Sequence, residues 1–587
     1  MYYLGIEEEN ICPRSYLEIE VFTVKKYLVL ALLFIISITG IGANFPLKEV
    51  TPGLDGIGKT VFLGTEIEEF PVEIVGLIPG DGVVPHYVMI KVGGKALALG
   101  GVSEGMSGSP IYIDGKLLGA ISYGFDDIGH AYGLVTPIES MEKLLELSSG
   151  LKAEIRKIDS LTTRPLNAPL FVSGFGKRSQ QYLSSQLGYP LSKGLQSGMT
   201  VNIPPEIAPG AALGVQLVKG DVTVGSYGTL TSVYDDGRFL GFGHSILSRG
   251  TTSFLATTSY VHATIQGQPN TYKLASLGSP VGTISQDRGA GVLGVFDRTP
   301  KMIPVRVVTK DLDLGRQILT KAEVIPDNML LGKLVSSTVL EGFDRGIDRV
   351  GSGTSKVRFT IKGEGLPYPL ERNNYFYTYA DIAALSLSEV GEVLDLLLYN
   401  DYYDIKLSEV TVEADFTEEK NTAVIVGAVP NTQQVVRGEQ VEIEVQIRPF
   451  RGESKTLKVL LPIPEDIATG NVRVMVRPGL SIPSYGFGTS SVTEKLELQS
   501  EERIGTPLTQ EAQDWEKVLK DFMNREKNNE IVVEFYPPYN DIINDDSVSN
   551  EVSLPIQVRV ETEYVMEGDS AWEMDILAES SEEYHTE

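Results

Sequence analysis

Cysteine is almost absent from this chain of 587 residues, which has one, Cys12. A single cysteine cannot form an internal disulfide, so the fold must rest on its packed cores, and a cysteine-based metal site or catalytic dyad is excluded. Only 5 histidines are present, and none occurs in a His-x-x-x-His pattern, which argues against a metal hydrolase. We therefore expect neither a metal nor another cofactor.

Basic residues are also in deficit, with 50 Lys and Arg against 78 Asp and Glu and a net charge of -28. Nucleic-acid binding needs clustered basic side chains, so a nucleic-acid partner is not expected. The acidic balance identifies no partner by itself and is typical of a solvated surface. Much of the acid lies in residues 567–587, which we interpret as a frayed tail.

Glycine and proline are plentiful, with 60 and 31 residues, and they accompany many β-branched and aromatic residues. This composition predicts short strands joined by tight turns, in three or four domains for a chain of this length. Residues 408–429 and 440–462 alternate like the strands of a small sandwich. Helices are predicted at 136–149, near 179–187, at 386–400 and at 508–526.

The N-terminal region resembles a targeting signal. Lys25 and Lys26 precede a short apolar run at residues 27–38, and small residues follow. This pattern is typical of a secretory signal peptide cleaved after Gly42 or Ala43, because a membrane span needs about 20 apolar residues. We expect an exported protein, in the periplasm, cell envelope or outside the cell. An uncleaved segment would instead attach it to a membrane.

The most informative motif is Gly105–Pro110, Gly-Met-Ser-Gly-Ser-Pro. A serine that attacks acyl groups needs an exposed hydroxyl and backbone N–H groups that converge on the developing oxyanion. Ser107 fits as the nucleophile, with the N–H groups of Gly105 and Ser107 as the oxyanion hole. Residues 111–122 are then predicted to form a β-hairpin. Ser109 is the rival nucleophile, and a simple small-residue loop is the structural alternative.

An attacking hydroxyl needs a base, most often histidine. His244 lies in a Gly-Phe-Gly-His segment at a predicted strand end, where an imidazole can reach a second loop. By context it is the best candidate, although any one of these histidines is more often structural than catalytic. The other histidines are His86, His130, His262 and His585.

Three segments together resemble the SpoIVB-type serine peptidases, over roughly residues 46–310. The resemblance implies a chymotrypsin-like double β-barrel and serine endopeptidase activity, with Ser107 as nucleophile and His244 as general base. The similar segments are Glu104–Lys116 continuing to Gly133–Ile138, then Gly228–His244, and Val281–Gly291.

This chain departs in two ways from the bacterial sporulation peptidase after which the SpoIVB family is named. Its serine segment precedes its histidine segment, so the two lobes are in permuted order, which a triad defined by geometry allows. No acid lies shortly before the serine loop, and Asp287 is our substitute for the third triad member. Asp287 could equally pair with Arg288 or cap a turn, and a dyad without an acid is the further alternative.

We predict a mainly β protein that acts on a protein or peptide substrate as an exported serine endopeptidase of the cell envelope. The alternative is an inactive envelope scaffold that keeps the peptidase fold. The oligomeric state is open. The predicted regions are a leader and signal peptide at 1–43, a peptidase-like domain at 44–310, β-rich domains with a helix at 311–485, and an α+β region with an acidic tail at 486–587.

Overall fold

The computed structural model describes residues 44–80, 82–125, 130–147, 163–165, 170–194, 207–267, 271–400, 403–479, 515–538 and 554–578. The predicted signal peptide, Cys12, His585 and the end of the acidic tail lie outside these residues. Among the described residues, no helix is both long enough and apolar enough to cross a membrane. The chain is mainly β, as predicted.

The first β-barrel is a closed ring in the order β1-β2-β3-β6-β5-β4, because β4 pairs with both β1 and β5. Alternate side chains of β2, such as Phe70, Val72 and Ile74, fill its core. Its strands are β1 (Asp55–Val61), β2 (Ile67–Pro79), β3 (His86–Val92), β4 (Pro110–Ile113), β5 (Lys116–Phe125) and β6 (Tyr132–Pro137), and β7 (Thr163–Pro165) pairs with β5.

Short helices accompany this barrel. The predicted helix at 136–149 is shorter than expected, because β6 runs to Pro137 before Ile138–Met141 turns as α-helix and Glu142–Glu146 as 3₁₀-helix. The other short helices are Leu47–Glu49 (3₁₀) and Gly94–Ala98 (α).

A second closed ring follows in the order β10-β13-β14-β15-β12-β11, with β10 also paired to β11. Two closed barrels in succession confirm the chymotrypsin-like arrangement. The strands are β8 (Leu170–Ser173), β9 (Leu191–Lys193), β10 (Ala212–Gly220), β11 (Thr223–Val233), β12 (Arg238–Gly241), β13 (Gly250–Ile265), β14 (Tyr272–Arg288) and β15 (Gly291–Phe296). The helix Lys177–Leu187 lies between β8 and β9, close to its predicted place.

The sheet of the second barrel continues into a helix-covered module, because β17 pairs with β10. The predicted boundary at residue 310 falls inside β16. The helix Asn328–Ile347, which the sequence analysis did not predict, is capped by Asp327 and largely buried against β16 and β17. The strands are β16 (Ile303–Asp311), β17 (Arg316–Val324), β18 (Gly353–Glu364), β19 (Leu370–Thr378) and β20 (Lys406–Thr417), and the other helices are Ile382–Ser386 and Ser388–Leu398.

Two further sheets share one core and form a C-terminal sandwich. The sequence analysis grouped residues 408–417 with this sandwich, but they form β20, which pairs with β16 and β18 instead. The prediction of a frayed tail at 567–587 was wrong for Ser570–Leu577, which form a paired strand of the sandwich. The helix Trp515–Met523 packs near β19. The sandwich strands are β21 (Thr422–Pro430), β22 (Gln434–Val436), β23 (Gln440–Pro449), β24 (Lys455–Pro462), β25 (Gly470–Pro478), β26 (Glu530–Phe535), β27 (Ile556–Glu561), β28 (Val565–Glu567) and β29 (Ser570–Leu577).

Candidate active site between the two barrels

The serine loop of the first barrel lies against β11 of the second. The backbone N–H of Thr229 donates to the Ser107 carbonyl at 2.7 Å, and the Thr229 hydroxyl donates to the Gly105 carbonyl at 3.2 Å. The hydroxyl of Thr231 donates to the Gly108 carbonyl at 2.8 Å. One strand of the second barrel therefore holds three successive parts of the loop.

Two glycines of this loop have a left-handed backbone, with φ of 89° at Gly105 and 94° at Gly108. A Cβ at Gly108 would lie 1.9 Å from the carbonyl oxygen of Thr229, and one at Gly105 would lie 2.8 Å from the ring of Tyr227. Both positions therefore need glycine for conformation and for space. The spacing of the two glycines in the Gly-Met-Ser-Gly motif follows from these two requirements.

The first predicted oxyanion donor is oriented by a bridge between the barrels. The carbonyl of Glu104 accepts the backbone N–H of Lys273 at 3.0 Å. In a trans peptide the carbonyl and the following N–H point in opposite directions. The N–H of Gly105 therefore points away from Lys273, and it donates no hydrogen bond to another described residue.

The second predicted donor is oriented within the loop itself. The carbonyl of Met106 accepts the backbone N–H of Ser109 at 2.9 Å, which turns the N–H of Ser107 the other way. That N–H also donates to no described residue. Two donors two residues apart thus stand uncommitted in the described part of the chain, as an oxyanion hole requires.

His244 follows β12 on a strained turn, since Phe242 and Gly243 both have positive φ, at 65° and 67°. The ring nitrogen Nδ1 of His244 lies 2.7 Å from the carbonyl oxygen of Ser245. A carbonyl only accepts, so Nδ1 carries the proton of the neutral ring and Nε2 is its basic nitrogen. This is the tautomer that a general base toward serine needs.

The serine and histidine loops meet at one backbone carbonyl of β5. The Ile121 carbonyl accepts the N–H of Gly108 at 2.7 Å, and a Cβ at Gly243 would lie 3.2 Å from the same oxygen. The hydroxyl of Thr136 on β6 donates to the Gly243 carbonyl at 2.7 Å. The first barrel therefore contacts both loops, which brings the segments of Ser107 and His244 together.

The site is closed in this structure. Ser107 is 0% exposed and His244 is 2% exposed. The Oγ of Ser107 is buried and forms no hydrogen bond with any described residue, His244 included. An attack by Ser107 would therefore need the loops to shift relative to each other and to open toward solvent.

Asp287 supports the histidine loop and does not contact the imidazole ring by a hydrogen bond. Its carboxylate accepts the backbone N–H groups of Ile246 at 2.6 Å, Leu247 at 2.8 Å and Arg249 at 3.2 Å. Burial raises the pKa of Asp287, and these three hydrogen bonds oppose that rise. The Ser245 carbonyl occupies the place on Nδ1 where a triad acid would lie.

The other candidate residues make different contacts. Ser109 is buried, and its hydroxyl donates to Thr60 at 3.0 Å. His262 on β13 lies 3.0 Å from the Ser276 hydroxyl. His86 begins β3, and His130 accepts the Val102 N–H through its carbonyl.

Sequence analysis missed the residues that hold the site, chiefly Thr229, Ser245 and Lys273. Lys273 did carry a signal, because it occupies a core-facing position of β14, where a lysine is unexpected. The hydroxyl of Thr229 had none, since its role depends on a contact between the barrels, and the carbonyl of Ser245 had none, since its contact with the adjacent His244 depends on the conformation of the turn.

Comparison with known proteins supports the similarity of the first barrel to serine peptidases. Residues 47–141 match the family model described as SpoIVB peptidase S55. The match contains the complete serine loop and ends before the segment of His244. It confirms the similarity to SpoIVB-type peptidases that the motif predicted. No curated protein and no solved structure matches the chain.

Proposed function

We propose, from the similarity of residues 47–141 to the SpoIVB peptidases, that this chain is a serine endopeptidase acting on a protein substrate. Ser107 is the nucleophile, His244 the general base, and the N–H groups of Gly105 and Ser107 form the oxyanion hole. The observation that carries the proposal is the pair of N–H groups at Gly105 and Ser107, each oriented by its own peptide carbonyl and neither bonded to a described residue.

The proposed reaction passes through an acyl-enzyme. As Nε2 of His244 takes the hydroxyl proton, Oγ of Ser107 bonds to the substrate carbonyl carbon, and the oxygen becomes an oxyanion. His244 then returns the proton to the leaving nitrogen, and the C–N bond breaks. Water, activated in the same way, releases the acid product. The Ser245 carbonyl, an uncharged acceptor, stabilises the imidazolium less than a carboxylate would, so we expect a slow enzyme.

We also propose that the protein is exported and acts in the cell envelope or outside the cell. The basic pair Lys25-Lys26, the apolar run at 27–38 and the small residues before Asn44 support this proposal. If the segment stays attached, it would anchor the barrels to a membrane.

A specific observation favours a second function, that of an inactive scaffold with a peptidase fold. Ser107 is completely buried, and its hydroxyl makes no hydrogen bond with any described residue. A protein that only presents its surfaces to partners would need no open site. Activity requires opening of the site, so the two functions differ in whether Ser107 ever becomes reactive.

Labelling with a fluorophosphonate tests the proposal, because such probes bond covalently to activated serines. We expect the wild-type protein to be labelled on the peptide that contains Ser107, as located by mass spectrometry. The Ser107→Ala variant should lose labelling by about 1,000-fold or more, since the nucleophile is gone.

Ser103→Ala is the matched control. It removes another buried hydroxyl that has no hydrogen-bond partner among the described residues. Labelling of this variant should stay near the wild-type rate. Wild-type protein that labels no faster than Ser107→Ala would support the scaffold function, and an adduct on Ser109 would move the nucleophile.

A further inference from the structure

A lysine whose amine is hydrogen-bonded to a hydroxyl, and to no carboxylate among the described residues, lies buried between the two barrels. Lys273 on β14 is 1% exposed, and its Nζ donates a hydrogen bond of 2.7 Å to the hydroxyl of Thr60 on β1. Burying an ammonium group is costly, and an amine in such a place needs a compensating role or contact. This hydrogen bond of the Lys273 side chain crosses from the second barrel to the first.

The contact with Thr60 continues into the nucleophile loop. The hydroxyl of Ser109 donates to Thr60 at 3.0 Å and lies 3.4 Å from the hydroxyl of Thr229. Thr229 in turn donates to the Gly105 carbonyl. This hydroxyl chain reaches the loop two residues before and two residues after Ser107.

The backbone of the same lysine also contacts the site. The N–H of Lys273 holds the Glu104 carbonyl at 3.0 Å and so orients the first oxyanion donor. The Lys273 carbonyl accepts the hydroxyl of Tyr227. A Cβ at Gly105 would lie 3.3 Å from Cβ of Lys273, so the loop packs directly on this residue.

Burial dominates the electrostatics of the Lys273 amine. Burial is the cause that lowers the pKa of Lys273 to about 7, so its charge changes in the neutral range. Burial first, and then nearby Glu104, raises the pKa of Tyr227, which therefore stays neutral there. The ionisable residues that flank these contacts are Lys59 on β1, Glu104 before the loop, Tyr227 on β11, His262 on β13 and Tyr272 on β14.

We propose that Lys273 is a positioning residue that holds the nucleophile loop, and with it the two oxyanion donors, through Thr60 and Ser109. The inference rests on the proposed function of Ser107. An ammonium makes a stronger hydrogen bond to Thr60 than a neutral amine does, so the loop is held more firmly below pH 7 than above it.

Fluorophosphonate labelling rates measured from pH 5.5 to 9 test this role. We expect Lys273→Met and Thr60→Val to slow labelling by about 10–100-fold, the effect of losing a hydrogen bond to a charged group. Thr60→Ser keeps the hydroxyl and should restore the rate to within about threefold. Thr320→Val, which removes a buried hydroxyl on the distant β17, is the matched control and should change nothing.

The pH profile separates positioning from mere structural support. The ratio of wild-type to Lys273→Met rates should be several-fold larger at pH 6 than at pH 8.5. Effects of pH on the probe and on the rest of the site are common to both proteins and cancel in this ratio. A ratio that stays constant with pH, or Thr60→Val protein that labels at the wild-type rate, would overturn the proposal.

Stability gives a second readout that needs no activity. The pKa of Lys273 is lower in the folded chain than in the unfolded chain, so the unfolded state binds more protons between about pH 7 and the usual lysine pKa near 10.4. The melting temperature of the wild type relative to Lys273→Met should therefore rise with pH across that window. A flat difference would contradict a buried, titrating amine.

Hydrogen exchange of the peptide spanning residues 104–110 distinguishes failure of the inference from failure of the proposed function. It should speed up in Thr60→Val and Lys273→Met relative to wild type and Thr60→Ser. If the wild-type protein is not labelled but shows this exchange pattern, the proposed peptidase function is refuted and the positioning role is kept. Unchanged exchange in both variants would refute positioning, and Thr60→Val still tests it if Lys273→Met does not fold.

Discussion

The two barrels close with the same number of strands but hold their site residues in different ways. The first barrel shapes its serine loop with nearby glycines at 105 and 108, whose positive φ turns the backbone. The residues around His244 are held by groups distant in sequence, with the Thr136 hydroxyl of the first barrel holding Gly243 and the Asp287 carboxylate of the second holding the residues after the ring.

This difference explains which half of the site can be recognised. The serine loop needs glycine at two fixed positions and so leaves a contiguous motif, although β11 also holds it, and residues 47–141 match a peptidase family. A loop held by groups from other strands leaves only scattered residues. Mutations of the glycines in the serine loop and mutations of the distant groups that hold the histidine loop should therefore have different effects.

The largest effect is expected from the histidine itself. His244→Asn should slow fluorophosphonate labelling by about 100–10,000-fold, since a general base contributes that much. Its folding should change little, because the Asn amide nitrogen takes the place of Nδ1 and can still donate to the Ser245 carbonyl. His262→Gln, on β13, is the control. Equal losses in the two variants would show that His244 has no special role.

Next comes the local support of the serine loop. Gly108→Ala places a Cβ 1.9 Å from the Thr229 carbonyl at a left-handed position, which should destabilise the fold by about 3 kcal/mol or more. Gly115→Ala has a similar positive φ but no atom within 4 Å, so it should cost only about 1–2 kcal/mol. Urea denaturation measures both, and similar values would mean that the loop moves away from β11.

The remote support of the histidine loop gives the smallest effect. Asp287→Asn replaces one acceptor oxygen with an amide donor and leaves a backbone N–H of the loop unsatisfied. We expect a loss of about 1–3 kcal/mol in the free energy of unfolding and only a modest fall in labelling. Asp311→Asn, at another buried carboxylate that accepts backbone N–H groups, is the stability control.

The opposite outcome would restore Asp287 as the triad acid. In that case labelling would fall by about 10,000-fold while stability stayed close to wild type. The comparison between the barrels would then change, because the second barrel would supply charge as well as position.

Several elements of the fold could be predicted because their information is local. Turn dipeptides and alternation marked the hairpin of β4 and β5, and apolar periodicity marked the helix Ser388–Leu398. The helix Asn328–Ile347 escaped because it is buried on nearly all sides and lacks a clear polar face. The pairing of β20 with β16 was not predicted, because the partner of a strand depends on the whole sheet.

The sequence by itself determined the Ser107 loop, since positive φ and close backbone approach demand glycine at fixed spacing. The sequence also limited the candidate general bases to 5 histidines. Only the tertiary structure decided that the Ser245 carbonyl contacts the ring of His244, that Asp287 supports the loop, and that Lys273 reaches Thr60 across the barrels. The contacts of Asp287 and Lys273 join residues far apart in the chain, and the contact between the adjacent residues His244 and Ser245 depends on how the turn is folded, so no local sequence pattern encodes them.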